Sequence, residues 1–430
     1  MYRPRPSPRA LAILCLAGLV VLLSFARFVF EANHIAAGPF SDFPLFWQQF
    51  REYVLGDPLY PHALEDYSGG APVYKFPPFY ASLLVPFARL SVDHHIPLRD
   101  ILHYHWVAHI VSYGLTLLVL CLATYRWILL SKPGAGSDPR RAGWIGVAIV
   151  LAFGLNFEPF FETLYGLQVE TALLLLVAAS FWFYLRRQDA LAGVFLAVAA
   201  MLKLYPGFLV LAFLLERRFR AAAWFVGTCV GILIWSVVIV GPEEAGHYFF
   251  RVMPFMLQAP PALTQGNEAD NLCLAKYIHW MGFDLENATR IAKAGFLGML
   301  GGTGWVAYRH RRRDPSPAGS GLRYLVFVPL MLAGLSDSWL NYQLILLVPM
   351  AWVAGRCFVA DRPDPTAAYL MLAAYIPTMI NANTNTLLSI VTFPNEWYQR
   401  EMDTRVLTTL LVWGSLMWLL TRQTRNGAAH

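Results

Sequence analysis

The chain has 430 residues, of which 57% are hydrophobic and only 14% are charged, and its formal net charge at pH 7 is +6. A single soluble core of this length cannot bury so much apolar surface, so the composition excludes an ordinary soluble domain and predicts that lipid is much of the solvent. The small positive charge is typical of a membrane protein with basic cytoplasmic loops, and no nucleic-acid partner is expected.

The apolar runs are long and do not alternate, which favours membrane-spanning helices over the strands of a barrel. The predicted spans, in chain order, are residues 11–30, 103–130, 144–162, 168–185, 221–240, 288–308, 324–338, 342–359, 366–382 and 404–421. Residues 78–92 form a short apolar run interrupted by Pro86, and residues 190–215 form either one long span or two short ones bent at Lys203 and Pro206. The sequence predicts a single all-α membrane domain over residues 1–430, a polytopic bundle of about 12 spans.

Basic residues in short loops predict which loops face the cytoplasm. Such residues lie at four places. Arg3, Arg5 and Arg9 precede the first span, and Arg217, Arg218 and Arg220 precede residues 221–240. Arg309, Arg311, Arg312 and Arg313 follow residues 288–308, and Arg422 and Arg425 follow the last span. We expect both termini in the cytoplasm of a bacterial inner membrane. Residues 31–77 then form a first outer loop, and residues 241–287 form a second one, polar enough for a lid over a substrate.

The topology between these loops has two solutions. One places five basic residues in the cytoplasm, so that residues 78–92 do not cross and residues 190–215 form a hairpin; the five are Lys132, Arg140, Arg141, Arg186 and Arg187. The other lets residues 78–92 cross inward and makes residues 190–215 a single span, which leaves those charges outside. Both solutions return the chain to the cytoplasm before residue 221.

The first outer loop contains the sharpest candidate for catalysis. Aromatic residues recur at helical spacing over residues 46–53 with polar residues between them, which predicts a helix in the membrane interface. Asp42 lies between the first span and this helix, where its carboxylate is suited to accept a proton from an attacking hydroxyl. The alternative, which spacing alone favours, is that Asp42 only caps the helix, with Pro44 in its first turn.

Five histidines between residues 94 and 109 raise the question of a metal site. His105 and His109 are four residues apart and share a helix face, but no acidic or cysteine partner stands at a matching spacing. The five cysteines contain no CxxC pair. Head-group contacts or helix packing are the favoured role of these histidines, and no metal is expected.

Several short motifs occur in the order found in a known family. They read SDFPLFWQQF at residues 41–50, YKFPPFYASL at 74–83, MLKLYPGF at 201–208 and SDSWLNYQ at 336–343. In this order they resemble glycosyltransferase family 87, a polyprenol-phosphate-mannose-dependent, mannosyltransferase-like group with the C-type (GT-C) membrane fold. The resemblance extends from residue 41 to about residue 350.

The resemblance implies transfer of a mannose-like sugar or a pentose from a polyprenyl phosphate to an acceptor hydroxyl at the outer face, with inversion. The partners would be the lipid-linked sugar, a glycan or glycolipid acceptor and membrane lipids, with no cofactor. Asp42 would act as general base. Candidates for the donor phosphate are Lys203, Lys75, Arg251 and Lys276; snorkelling or solvation are their alternatives.

The resemblance also implies a set of substrate-binding residues, namely Phe43, Tyr74, Gln168, Tyr205, Trp339, Asn341 and Tyr342. The chain departs from the family pattern in two places. It has Gly166-Leu167-Gln168-Val169-Glu170 where the family often has Gly-Gln-x-Asn, and it has Asn341 and Tyr342 where the family often has histidine. These differences concern donor and acceptor identity and leave the Asp42 position intact.

Two other classes of protein compete with this interpretation. A transporter or flippase for a lipid-linked sugar would need no general base, but internal inverted repeats, which would favour it, are not found in the sequence. A membrane acyltransferase would need a catalytic histidine within a span, for which only the region of His105 gives support.

Overall fold

The computed structural model describes residues 8–61, 74–130, 139–258, 273–335, 338, 340–359, 364–379 and 395–426. All regular elements in these ranges are helical, which confirms the all-α prediction for this part of the chain. The α-helices, in chain order, are α1 (Pro8–Ala37), α2 (Phe43–Leu55), α3 (Pro78–Asp93), α4 (Leu98–Leu130), α5 (Pro139–Leu155), α6 (Glu158–Gly166), α7 (Glu170–Leu185), α8 (Asp189–Leu202), α9 (Val210–Leu215), α10 (Phe219–Val240), α11 (Pro242–His247), α12 (Met253–Gln258), α13 (Leu274–Trp280), α14 (Leu285–Arg313), α15 (Pro317–Leu325), α16 (Phe327–Ala333), α17 (Leu347–Val359), α18 (Pro365–Tyr375) and α19 (Asn395–Asn426).

Three helices in the described ranges are long and apolar enough to cross a membrane by themselves: Cys15–Ala37 of α1, Leu98–Leu129 of α4, and α10. Their outward faces carry exposed leucine, valine and tryptophan side chains, as contact with lipid requires. The pair α5 and α6 is a fourth candidate, and the remaining apolar helices have 10–17 residues. The chain is therefore a membrane protein, while the total of about 12 spans stays a prediction.

The span expected at residues 144–162 is interrupted, because α5 and α6 meet at an angle of 45°. Pro159 stands in the first turn of α6, where its missing N–H leaves no hydrogen bond unmade. The side chain of Asn156, between the two helices, donates to the Ala152 carbonyl at 2.9 Å and to the Ser24 hydroxyl of α1 at 2.7 Å. These bonds satisfy polar groups that a helix break would otherwise leave unpaired among apolar side chains.

Residues 190–215 form the hairpin, one of the two arrangements that the sequence left open. The chain breaks at Lys203, whose backbone is extended (φ −152°, ψ 127°), before the 3-10 turn Tyr205–Leu209. Pro206 favours the break because it has no N–H to donate. The following α9 returns the chain, so that Arg218 lies 3.5 Å from Asp189, the first residue of α8.

One end of the bundle contains a buried polar network, which we call the basic end. Arg323 of α15 forms an ion pair with Glu216 and donates to the ring of His310 on α14 at 2.7 Å. Arg311 donates to the Leu215 carbonyl at 2.9 Å. The loops around residues 217 and 311, both predicted to be cytoplasmic, therefore meet at the same end of the protein.

The two predicted outer loops pack together at the other end, the loop end. The helix expected over residues 46–53 is confirmed as α2, and it buries three aromatic side chains, Phe43, Trp47 and Phe50. Tyr53 of α2 donates to the Val240 carbonyl of α10 at 2.6 Å. The Tyr60 N–H donates to the Glu244 carboxylate of α11 at 3.2 Å. These contacts hold the start of the second loop against the first.

Candidate functional site

Asp42 lies at the N-cap position of α2, but its side chain makes no hydrogen bond to the first turn of that helix. The carboxylate instead accepts a hydrogen bond from the side-chain amide of Gln168. The Ser41 N–H donates to the Tyr165 carbonyl at 3.2 Å, which ties the start of α2 to the end of α6. Asp42 therefore occupies the cap position while its carboxylate is directed at a different segment.

The turn between α6 and α7 positions Gln168. Leu167 has a left-handed backbone (φ 48°, ψ 44°), which is uncommon for leucine. A Cβ added at Gly166 would lie 3.0 Å from Gln168 Cγ and 3.6 Å from the Asp42 carboxylate, so glycine leaves the room that this turn needs. The Gln168 amide oxygen accepts a hydrogen bond from Asn341. Asn341, Gln168 and Asp42 thus form one hydrogen-bonded chain that orients the carboxylate.

Glu170 is the first residue of α7 and forms a buried ion pair with Lys203. Their side chains are 1% and 10% exposed. The Lys203 ammonium also lies 3.6 Å from the centroid of the Tyr342 ring and 5.0 Å from that of Phe76. Aromatic faces attract a cation. The lysine at the break after α8 thus lies against the Glu170 carboxylate and the faces of Tyr342 and Phe76 rather than turned out to water.

The two sets of contacts share two short segments. The α6–α7 turn supplies both Gln168 and Glu170, and the 3-10 turn Leu340–Leu346 supplies both Asn341 and Tyr342. A carboxylate and an ammonium from distant parts of the sequence therefore belong to one constellation at the loop end. We call it the Asp42–Lys203 site, and it consists of Asp42, Gln168, Glu170, Lys203, Asn341 and Tyr342.

Two other residues expected at the substrate face the protein interior in this conformation. Phe43 is 1% exposed, and its ring stacks on His105 of α4 with the centroids 3.8 Å apart. Tyr74 is fully buried and donates to the Pro77 carbonyl at 3.1 Å. Burial, and to a lesser degree Tyr80, raises the pKa of Tyr74 well above its usual value, so the phenol stays neutral. Phe43 thus packs α2 against α4, and Tyr74 packs against Phe50 of α2 with the ring centroids 5.1 Å apart.

Tyr205 lies against the site rather than in it. Its ring stacks on Tyr342 with the centroids 5.3 Å apart. Its hydroxyl is buried and has no hydrogen-bond partner within the described ranges.

The sequence model of glycosyltransferase family 87 matches residues 74–333, which is more than half of the chain. The chain belongs to glycosyltransferase family 87. A curated relative is the "Polyprenol-phosphate-mannose-dependent alpha-(1-2)-phosphatidylinositol pentamannoside mannosyltransferase" of Mycobacterium tuberculosis (strain CDC 1551 / Oshkosh), which is 24% identical over 302 residues. The aligned region covers 69% of this chain and 62% of the relative, so the chain spans less than two thirds of that protein's length.

The family 87 match includes Gln168, Glu170 and Lys203 of the site, whereas Asp42, Asn341 and Tyr342 lie outside the matched residues. The assignment of these three to the site therefore depends on their contacts. Asp42 and Asn341 are hydrogen-bonded to Gln168, and the Tyr342 ring lies against the Lys203 ammonium.

Four further residues predicted to bind substrate in this family 87 protein are, like Phe43, Tyr74 and Tyr205, not members of the Asp42–Lys203 site. Lys75 is half-buried just before α3. Arg251 is exposed on the π-helical turn Tyr248–Val252, and Lys276 is buried on α13. Trp339 lies outside the described residues. The roles proposed for these four stay predictions.

The motifs do not predict Glu170 as the partner of Lys203, although the sequence contains a signal for this pair. Each is a charge at the edge of an apolar run, and such charges inside membrane proteins pair with one another. Of the five histidines between residues 94 and 109, His109 is buried and its ring is hydrogen-bonded to Thr171, next to Glu170. In the part of the chain that the structure describes, no three His, Cys, Asp or Glu side chains are grouped to hold a metal ion.

Proposed function

We propose that this protein is a membrane glycosyltransferase that moves a mannose-like hexose or a pentose from a polyprenyl-phosphate donor to a hydroxyl of a glycan or glycolipid acceptor. Membership of family 87 supports the reaction class, and the name of the mycobacterial relative supports the donor class. The observation that carries the proposal is the Asp42–Lys203 site, in which two shared segments bring a carboxylate and a buried ammonium into one constellation.

In the proposed reaction, Asp42 accepts the proton of the acceptor hydroxyl as the hydroxyl oxygen bonds to the anomeric carbon of the sugar. The bond between that carbon and the phosphate oxygen breaks, and polyprenyl phosphate leaves with the bonding electrons. Attack from the face opposite the phosphate inverts the anomeric configuration. Lys203 compensates the negative charge of the phosphate, which increases as the bond breaks.

The fold supports an outer location for this reaction. α10 is long and apolar enough to cross a membrane, and it runs from the basic end to Val240 at the loop end. Basic residues favour the cytoplasm, so the loop end and the Asp42–Lys203 site would face outward. The loops predicted at residues 31–77 and 241–287 would then cover the site.

The proposal is tested with the full chain purified and reconstituted in liposomes. Radiolabelled polyprenyl-phosphate-mannose or a polyprenyl-phosphate-pentose is supplied with a glycolipid acceptor. We expect label to move to the acceptor, polyprenyl phosphate to appear in equal amount, and the product to have the opposite anomeric configuration to the donor. Passage of intact donor across the bilayer without cleavage would instead identify a transporter. Acceptor acylation from an acyl donor, without sugar transfer, would identify an acyltransferase.

Replacing Gly166 by alanine is expected to lower the transfer rate about tenfold with little change in stability, because misplaced reacting groups lose rate steeply. The new Cβ would lie 3.0 Å from Gln168 Cγ, so the Gln168 side chain would have to shift by a few tenths of an ångström, which disturbs its hydrogen bond to the Asp42 carboxylate. The measurements are the initial rate of transfer and the thermal midpoint. Gly298→Ala is the control, since nothing lies within 4 Å of a Cβ at that position. An unchanged rate for Gly166→Ala would refute the positioning role of Gln168.

A further inference from the structure

We propose that Glu170 is a displaceable counter-ion, whose place on Lys203 is taken by the donor phosphate when donor binds. The inference rests on the proposed function, because it concerns the phosphate of the same donor. Glu170 is then a positioning residue. It holds the ammonium in the unliganded site and releases it to the substrate.

The hydrogen bonding of Glu170 suits an exchangeable partner. One carboxylate oxygen is bonded to Lys203, and the other is buried with no hydrogen-bond partner in the described part of the chain. Buried acceptors without a donor are rare because they cost free energy. Glu216 shows the contrast, because both of its oxygens are bonded to Arg323 and one of them also accepts from Ser320. Hydrogen bonds therefore hold both oxygens of Glu216, but only one oxygen of Glu170 within the described residues.

The surroundings of Lys203 allow its partner to be exchanged without loss of the ammonium position. The rings of Tyr342 and Phe76 lie against the ammonium, at 3.6 and 5.0 Å to their centroids. Their attraction for a cation does not depend on the carboxylate. The backbone at Lys203 is extended and ends α8, so the side chain is positioned by the chain break itself. An anion arriving at the ammonium meets a cation that is already in place.

The charges of the site predict whether removal of Glu170 strengthens or weakens the binding of a phosphate. Within the Asp42–Lys203 site, Asp42 and Glu170 contribute two negative charges and Lys203 one positive charge. A donor phosphate brings a further negative charge and competes with Glu170 for the same ammonium. Like charges brought together in a desolvated site oppose binding. Removing the charge of Glu170 should therefore strengthen phosphate binding, whereas removing a carboxylate that only kept Lys203 in place would weaken it.

The test measures binding of farnesyl phosphate to the full-length protein, with farnesol as the probe that lacks the phosphate. We expect Glu170→Gln to bind farnesyl phosphate about tenfold more tightly than the wild type, with farnesol binding unchanged. We expect Lys203→Met to bind it at least about tenfold more weakly, and the double variant to bind it more weakly than Glu170→Gln, because the ammonium that Glu170 would release is absent. Glu286→Gln, an exposed glutamate at the start of α14, is the matched control and should leave binding unchanged.

A second measurement on the wild type keeps the inference testable if Glu170→Gln does not fold. Carbodiimide labelling of Glu170 should increase when farnesyl phosphate is added, because displacement releases the carboxylate from Lys203. Weaker or unchanged binding by folded Glu170→Gln, or labelling that does not rise, would overturn the inference. So would wild-type affinity in Lys203→Met. The sugar-transfer assay tests the reaction itself separately, because label can move to the acceptor whether or not Glu170 is displaced; wild-type affinity in Lys203→Met would in addition remove Lys203 from the proposed mechanism.

Discussion

Asp42→Asn is expected to lower sugar transfer by about 10²- to 10⁴-fold, which is the range that general base catalysis contributes. An asparagine has the size and shape of aspartate and still accepts the hydrogen bond from Gln168 through its side-chain oxygen. It cannot take up the proton of the acceptor hydroxyl. The substitution therefore removes the proposed chemistry while leaving the contacts of the site in place.

The measurement compares turnover of the polyprenyl-phosphate sugar with binding of the same donor. Binding should be retained, since the proposed phosphate partner is Lys203. Asp57→Asn is the matched control, because Asp57 is an exposed aspartate of the same loop. Turnover of Asp42→Asn at the wild-type rate would show that Asp42 is not the base.

Arg323→Met is expected to reduce the free energy of unfolding by about 3–5 kcal/mol, the usual cost of leaving one partner of a buried ion pair alone. Arg323 is 1% exposed, forms an ion pair with Glu216, and donates to the Asp314 carbonyl at 2.7 Å. Methionine fills a similar volume but leaves the Glu216 carboxylate without its cation. The loss therefore comes mainly from the charge that stays behind.

Denaturant unfolding in mixed micelles tests this expectation. The double variant Glu216→Gln/Arg323→Met should recover part of the loss, because it leaves no unpaired charge. Arg290→Met is the control, since Arg290 and its partner Glu286 are 71% and 73% exposed and such pairs contribute little. Equal destabilisation in the single and double variants would mean that packing, rather than the ion pair, stabilises the basic end.

Local features of the sequence predict the elements that position the site. The aromatic spacing over residues 46–53 predicts α2, and Pro206 predicts the break at Lys203. Both features depend only on residues that are neighbours in the sequence: α2 on the helical period of its apolar side chains, and the break on the missing N–H of proline. The bend between α5 and α6 has a comparable signal in Pro159, which follows Asn156 and Glu158, although hydropathy alone predicts one span over residues 144–162.

Arg323 illustrates a second limit of reading hydropathy. It directly precedes the span predicted at residues 324–338, so the sequence places it at a membrane boundary rather than in a buried position. The structure begins the corresponding helix, α15, at Pro317, and breaks it from α16 at Val326. Arg323 therefore lies inside the helical region, where burial requires a partner for its charge.

By itself the sequence determined the class of this protein, its family and the position of Asp42 just beyond the first span, because each depends on composition, motif order or spacing along the chain. Only the tertiary structure decided the partners: Gln168 for Asp42, 126 residues away, Asn341 for Gln168, 173 residues away, and Glu170 for Lys203, 33 residues away. Hydropathy reports the environment that each residue prefers. Which helix faces oppose one another is set by packing among all of the helices together, and the contacts of the site depend on that packing.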